Sequence, residues 1–160
     1  MLNEKLILLA EDDPNDVLLL ERAFEKAGFH KVLKIVRDGD QAIKYLSGQG
    51  IYADRQKYPS PFLLLLDLKM PGTDGFEVLQ WLRREPDLKR LLVVVLTSSN
   101  LQADVDRAYD LGANSYLVKP VGFEEMANLI RRFEMYWSEI KRTPSASAPG
   151  QITQSESTLV

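Results

Sequence analysis

The chain has no cysteine, which excludes disulfides, thiol nucleophiles and thiolate metal sites together, so folding must rest on packing. It has one histidine, His30, which excludes multi-histidine metal centres and leaves oxygen ligands for any cation. No apolar run approaches the roughly 20 residues that cross a bilayer, and the N-terminus lacks the basic-then-apolar order of a secretory signal. A cytoplasmic location is the expectation. Positive charge is also not in excess: 20 Lys and Arg stand against 23 Asp and Glu, a net charge of -3, so neither nucleic acid nor an anionic membrane is an expected partner. Glycine forms no P-loop or dinucleotide-binding pattern that would suggest a nucleotide substrate.

What is present is enough for one domain with a core. At 160 residues, 45% hydrophobic and 27% charged, the chain excludes two large domains and a wholly disordered polymer alike. Apolar runs recur at Leu6 to Ala10, Val32 to Val36, Phe62 to Leu66, Leu91 to Leu96 and Tyr116 to Val118. Each reads as a strand. Because the runs are continuous instead of alternating, both strand faces must be covered, as in parallel sheets flanked by helices.

Helical periodicity fills the intervals, so strand and helix alternate and the fold class is α/β. Asp13 and Pro14 open a first helix with Val17, Leu20, Phe24 and Ala27 on one face, stopped by Gly28. A second starts at Asp38-Gly39-Asp40, carries Ala42, Ile43 and Leu46, and ends near Gly48. The third begins near Asp74, turns Phe76, Val78, Leu79 and Leu82 inward, and is blocked by Pro86. The fourth spans Leu101 to Leu111 before Gly112, and the last runs from about Gly122 to Lys141.

Two segments fall outside that rhythm. The connection from Gln49 to Ser60 (QGIYADRQKYPS) exceeds the usual two to six residues, and is either a tolerated insertion or a partner surface. From Thr143 to Val160 the chain is rich in Ser, Thr, Pro and Gln and nearly free of large apolar side chains, so it is expected to be a disordered tail behind a domain of residues 1–142.

In an open parallel α/β sheet, ligands sit beyond the carboxyl ends of the strands. The residues in those positions are Glu11-Asp12-Asp13, Asp67, Thr97-Ser98-Ser99 and Lys119-Pro120. Ionised Glu11, Asp12 and Asp67 against Lys119 leave a cluster that repels itself unless a divalent cation balances it. All-oxygen ligation with few carboxylates suits Mg²⁺, with Mn²⁺ as a substitute. Taken singly, each acid can instead be a turn former or a helix cap, as Asp13 is expected to be. Acids on two strand ends with a lysine and a hydroxyl on two others point to one shared site.

The segments ILLAEDDPND, LLLLDLKMPGTDG, VVVLTSS and YLVKP, in this order and spacing, resemble the signature of the response-regulator receiver domain over roughly Leu2 to Lys141. The resemblance implies a doubly wound, five-stranded parallel sheet of the flavodoxin-like (βα)5 type, with strand order 2-1-3-4-5. It implies that Asp67 is the phosphoacceptor and that Mg²⁺ is held by Asp12 and Asp67, by Glu11 through metal-bound water, and by the Lys69 carbonyl. Glu11 stands where aspartate is commoner. Lys119 would take a second phosphoryl oxygen and the Thr97 hydroxyl or nearby backbone N–H groups the third, and Thr97 with Tyr116 would form the switch that carries the chemistry to the surface. Lys69 and Ser99 would border the path of the hydrolytic water. The residue before Pro120 stands where such domains have a cis peptide bond, and sequence leaves its isomer open.

The long connection, the YDLGANSYLVKP segment and the late MYW are similar to stand-alone regulators of bacterial phytochrome-type histidine kinases. That finer resemblance implies a histidine kinase as phosphodonor and homodimers through the fourth helix, fifth strand and fifth helix. No recognition helix has room in the tail, so the output is expected from a surface of the domain itself. On the last helix Met126, Ile130, Phe133, Trp137 and Ile140 lie on one stripe, and Leu129 and Tyr136 widen it. The excess suggests an interface; a broad core seam is the alternative. The expected function is a single-domain phosphorelay response regulator, a signalling protein that promotes only its own phosphoryl transfer and autodephosphorylation. Two alternatives stay open: an adaptor of receiver fold that ignores phosphorylation, and a metal-dependent phosphohydrolase using an aspartyl phosphate. Such hydrolases usually place a second acid two residues after the nucleophile, where this chain has Lys69.

Overall fold

A computed structural model describes residues 3–28 and 33–142, with side-chain surroundings for 6–28 and 33–136. His30, Val32, Trp137, Ile140 and the expected tail lie outside the described side chains. Five strands, β1 (Asn3–Ala10), β2 (Leu33–Val36), β3 (Pro61–Leu66), β4 (Leu92–Thr97) and β5 (Ser115–Val118), form one parallel sheet in the order β2-β1-β3-β4-β5. The helices are α1 (Pro14–Lys26), α2 (Gly39–Ser47), α3 (Gly75–Arg84), α4 (Gln102–Asp110) and α5 (Phe123–Arg142). None of the helices searched is long and apolar enough to cross a membrane. No described peptide bond is cis, that before Pro120 included.

The continuous apolarity of the strands has the expected cause. Leu8, Ala10, Leu64, Leu66, Val93 and Val95 turn to the layer of α2, α3 and α4, while Ile7, Leu9, Leu63, Leu65, Val94 and Leu96 turn to α1 and α5. Each face is a core, so the runs Leu6 to Ala10 of β1 and Phe62 to Leu66 of β3 stay apolar until the strands end. Local chemistry then starts the helices: Asp13 caps α1 by accepting from the Asn15 N–H, Asp38 caps α2, and Asp74 with Glu77 forms a reciprocal capping box on α3.

Strand register aligns the ends that matter. Ala10 pairs with Leu66, Leu66 with Val95, and Val95 with Tyr116, so Glu11, Asp67, Thr97 and Lys119 emerge at one edge. Period-two alternation sorts them. Glu11, Asp67 and Lys119 continue the α1/α5 face of Leu9, Leu65 and Leu117, whereas Thr97 and Tyr116 continue the α4 face of Val95.

The long connection between α2 and β3 is packed. It contains a 3-10 turn (Gly50–Ala53), and the Tyr45, Tyr52 and Tyr58 rings meet with centroids 5.0 to 5.9 Å apart. Arg55 donates to the carbonyls of Tyr45, Leu46 and Tyr58, and the Tyr45 hydroxyl donates to the Pro59 carbonyl. Burial pushes that hydroxyl up to about 12.

The last helix corrects one expectation. Tyr136 is only 8% exposed and Leu129 packs against the α1/α5 core, so neither belongs to an excess outward face. A long helix seated against both the sheet and α1 buries a wider stripe than one lying on a flat surface. The outward apolar residue of its last turns with described side chains is Met135, 70% exposed.

Candidate functional site

Glu11 and Asp67 are buried and Asp12 is half-buried; one carboxylate oxygen from each lies within 4.8 Å of the others. Three hard anionic donors at that spacing fit a divalent cation such as Mg²⁺ or Mn²⁺. Lys69 is exposed on the turn after β3, and its backbone N–H donates to Asp67 Oδ1 at 3.3 Å. Gly75 opens α3 beneath this turn, where its N–H donates to the Leu68 carbonyl. A Cβ at Gly75 would run into the Asp67 carbonyl, so only glycine lets α3 approach the strand end so closely.

Lys119 reaches the acids from the far side of the sheet edge. Its Nζ pairs with Glu11 Oε1 at 2.5 Å, Asp16 Oδ2 at 2.9 Å and Asp67 Oδ2 at 3.0 Å, with 7% of the side chain exposed. Burial alone would lower the lysine pKa, but the bonds to Glu11 and Asp16 and the charge of Asp67 override it and hold the ammonium ionised. Glu11 moves the other way. Burial, reinforced by the charge of Asp67 and opposed by Lys119, pushes it from 4.5 up to about 7.

The hydroxyl side of the site is less satisfied. Thr97 is fully buried and its Oγ1 has no hydrogen-bond partner among the described residues. Leaving a buried hydroxyl unpaired costs about 1 to 3 kcal/mol, so Thr97 holds an unspent hydrogen-bonding group at the end of β4. Tyr116 is turned inward, 3% exposed, and its hydroxyl donates to the Ser99 carbonyl at 2.9 Å. Burial, with the charges of Asp104 and Asp67, raises its pKa. Ser99 Oγ donates in turn to Asp104 Oδ2 at 2.6 Å on the first turn of α4, so the loop after β4 is tied to that helix.

Every strand-end residue expected at the site therefore reaches one edge, while Tyr136 is buried and Leu129, partly buried, packs against the core. Asp16 was missed by the sequence reasoning. Its position in the first turn after the Glu11-Asp12-Asp13 run was the available signal, since a residue there faces back toward the preceding strand end.

Residues 7–131 match the family described as the response regulator receiver domain. The chain belongs to that family. It is 39% identical over 142 residues to the response regulator Rcp1 of Synechocystis sp. (strain ATCC 27184 / PCC 6803 / Kazusa), covering 89% of this chain and 95% of that protein. Among solved structures it is similar to the phosphorylated cyanobacterial phytochrome response regulator RcpA, with TM-score 0.75 and 34% identity over 89% of this chain and 96% of that one. It is also similar to the Mn²⁺-bound form of Rcp1, with TM-score 0.74 and 37% identity over 89% and 99%. This receiver domain is thus a signalling protein of two-component systems, close to phytochrome response regulators, and its Glu11, Asp12 and Asp67 cluster fits a phosphorylation site.

Proposed function

We propose that Asp67 accepts a phosphoryl group from a histidine kinase, of phytochrome type, in the cytoplasm, and that the event changes the α4–β5–α5 surface. The observation that carries the reading is the placement of the Asp67 carboxylate between the Glu11 and Asp12 carboxylates and the Lys119 ammonium, 3.0 Å away. An Asp67 oxygen attacks phosphorus as the P–N bond to the donor imidazole breaks, and the nitrogen keeps the electron pair and takes up a proton. Glu11, Asp12 and Asp67, with the Lys69 carbonyl, would hold Mg²⁺. When bound, that cation supplies positive charge against the transferred group. Lys119 takes a second phosphoryl oxygen and the Thr97 hydroxyl, which lacks a partner, takes the third.

A shift of Thr97 toward the site changes the packing beside Tyr116 on the same face, and Tyr116 is bonded to the loop that leads into α4. Leu101, Val118 and Met135 are large apolar residues left exposed just before α4, on β5 and on α5, which supports self-association there. Lys69, two residues after Asp67, offers no second carboxyl there and weighs against the hydrolase alternative. The uncompensated Thr97 hydroxyl weighs against an adaptor indifferent to phosphate.

A small acyl-phosphate donor with Mg²⁺ is expected to add one hydroxylamine-labile phosphoryl group to the chain and none to Asp67→Asn. Label that survives the substitution places the nucleophile elsewhere. Sedimentation with and without the donor checks self-association, and identical mass distributions would remove the dimer.

A further inference from the structure

Asp16 touches the site from an element that carries none of the expected ligands. It lies in the first turn of α1, its Oδ2 accepts from Lys119 Nζ at 2.9 Å, and 103 residues separate the two in sequence. Three carboxylates crowd the ammonium here: Asp16 and Asp67 accept hydrogen bonds from it, and Glu11 pairs with it by charge.

Two of those carboxylates have competing duties. Glu11 and Asp67 belong to the three-carboxylate cluster that fits a cation, and Asp67 would itself be esterified. Asp16 is outside that cluster. A carboxylate in the first turn of a helix is favoured by the helix dipole and has only two side-chain torsions, so Asp16 gives up little freedom in meeting Lys119. Lys119, on a flexible four-carbon stem, has no such restraint of its own.

We propose that Asp16 is a positioning residue for phosphoryl transfer: it anchors the Lys119 ammonium from α1, keeping it aimed at the Asp67 oxygen when Glu11 and Asp67 turn to a cation and a phosphoryl group. The inference rests on the reading of Asp67 as phosphoacceptor. Position and charge act in opposite directions here, because a carboxylate that steadies the ammonium also repels an anionic donor. Asp16→Asn keeps an acceptor oxygen and removes the charge; Asp16→Ala removes both.

Two measurements on the full chain test it. Without donor or cation, proton exchange at the Lys119 ammonium, followed by ¹⁵N NMR, is expected to be slow in the wild type and in Asp16→Asn and fast in Asp16→Ala. With a small acyl phosphate and Mg²⁺, Asp16→Asn is expected to label at least as fast as the wild type and Asp16→Ala about tenfold slower. Wild-type exchange and labelling in Asp16→Ala would overturn the proposal. So would equal losses of labelling in both variants that follow their melting temperatures, since that pattern is purely structural. If no chain takes label, the phosphoacceptor reading fails, and the ammonium exchange alone decides whether Asp16 anchors Lys119.

Discussion

Replacing Asp67 with asparagine should stabilise the metal-free protein while abolishing phosphoryl uptake. Glu11, Asp16 and Asp67 pair with the single ammonium of Lys119, and Asp12 lies beside Glu11 and Asp67, so the ionised cluster is strongly negative. Glu11 registers the cost: its pKa rises from 4.5 to about 7, and at about 1.4 kcal/mol per unit its ionisation opposes folding by about 3 kcal/mol. Burial is the largest cause and Lys119 works against it, so the charge of Asp67 supplies only part of that cost. Asparagine can still accept from Lys119, which keeps most of that hydrogen bond. A net gain of about 1 kcal/mol would correspond to about 3 °C in melting temperature for a domain of this size.

The pH sign follows from the direction of the shift. A folded-state pKa above the unfolded one contributes stability at low pH that is lost as pH rises through about 7, so the advantage of Asp67→Asn should appear only above that point. Cation reverses the ranking. At a free concentration about 100 times Kd it adds about 2.7 kcal/mol to the wild type, and less to a variant with one ligand oxygen replaced by an amide. Urea unfolding at about pH 6 and about pH 8, with and without Mg²⁺, measures all four states. A metal-free Asp67→Asn chain less stable than the wild type at the higher pH, or equal stabilisation of both chains by Mg²⁺, would refute the electrostatic reasoning.

Arg55→Ala should cost about 2 to 3 kcal/mol in urea unfolding, because three carbonyls lose a charged donor, while the rate of labelling at Asp67 stays unchanged. A neutral effect would show that the long connection is loosely attached. Gly75→Ala should cost about 2 to 4 kcal/mol and also slow labelling, because the added methyl can be accommodated only by moving the backbone at Asp67 and Leu68. Unchanged kinetics in a destabilised Gly75→Ala chain would separate that turn from the reacting carboxylate.

Much of the fold was legible because burial on two faces leaves a continuous apolar run, and such runs end where the sheet ends. That made Asp67 and Lys119 candidates before any strand had been paired. The breadth of the α5 stripe was read less well. Leu129 and Tyr136 carry the same periodic signal whether they face a neighbouring helix or a partner, and only the depth at which α5 sits against α1 and the sheet separates the two. The tyrosine and Arg55 knot was hidden for a related reason: a connection with few aliphatic residues looks like a loop until its rings meet.

By itself the sequence determined the alternation of strands and helices, the capping residues that start α1, α2 and α3, and the chemical types delivered to each strand end, because these depend on residues near one another along the chain. Tertiary structure decided which of those ends meet. The register that sets Ala10 beside Leu66 and Val95 beside Tyr116, and the seating of α1 that carries Asp16 to Lys119, join residues far apart in sequence. Their proximity is a property of packed layers, and no local pattern encodes it.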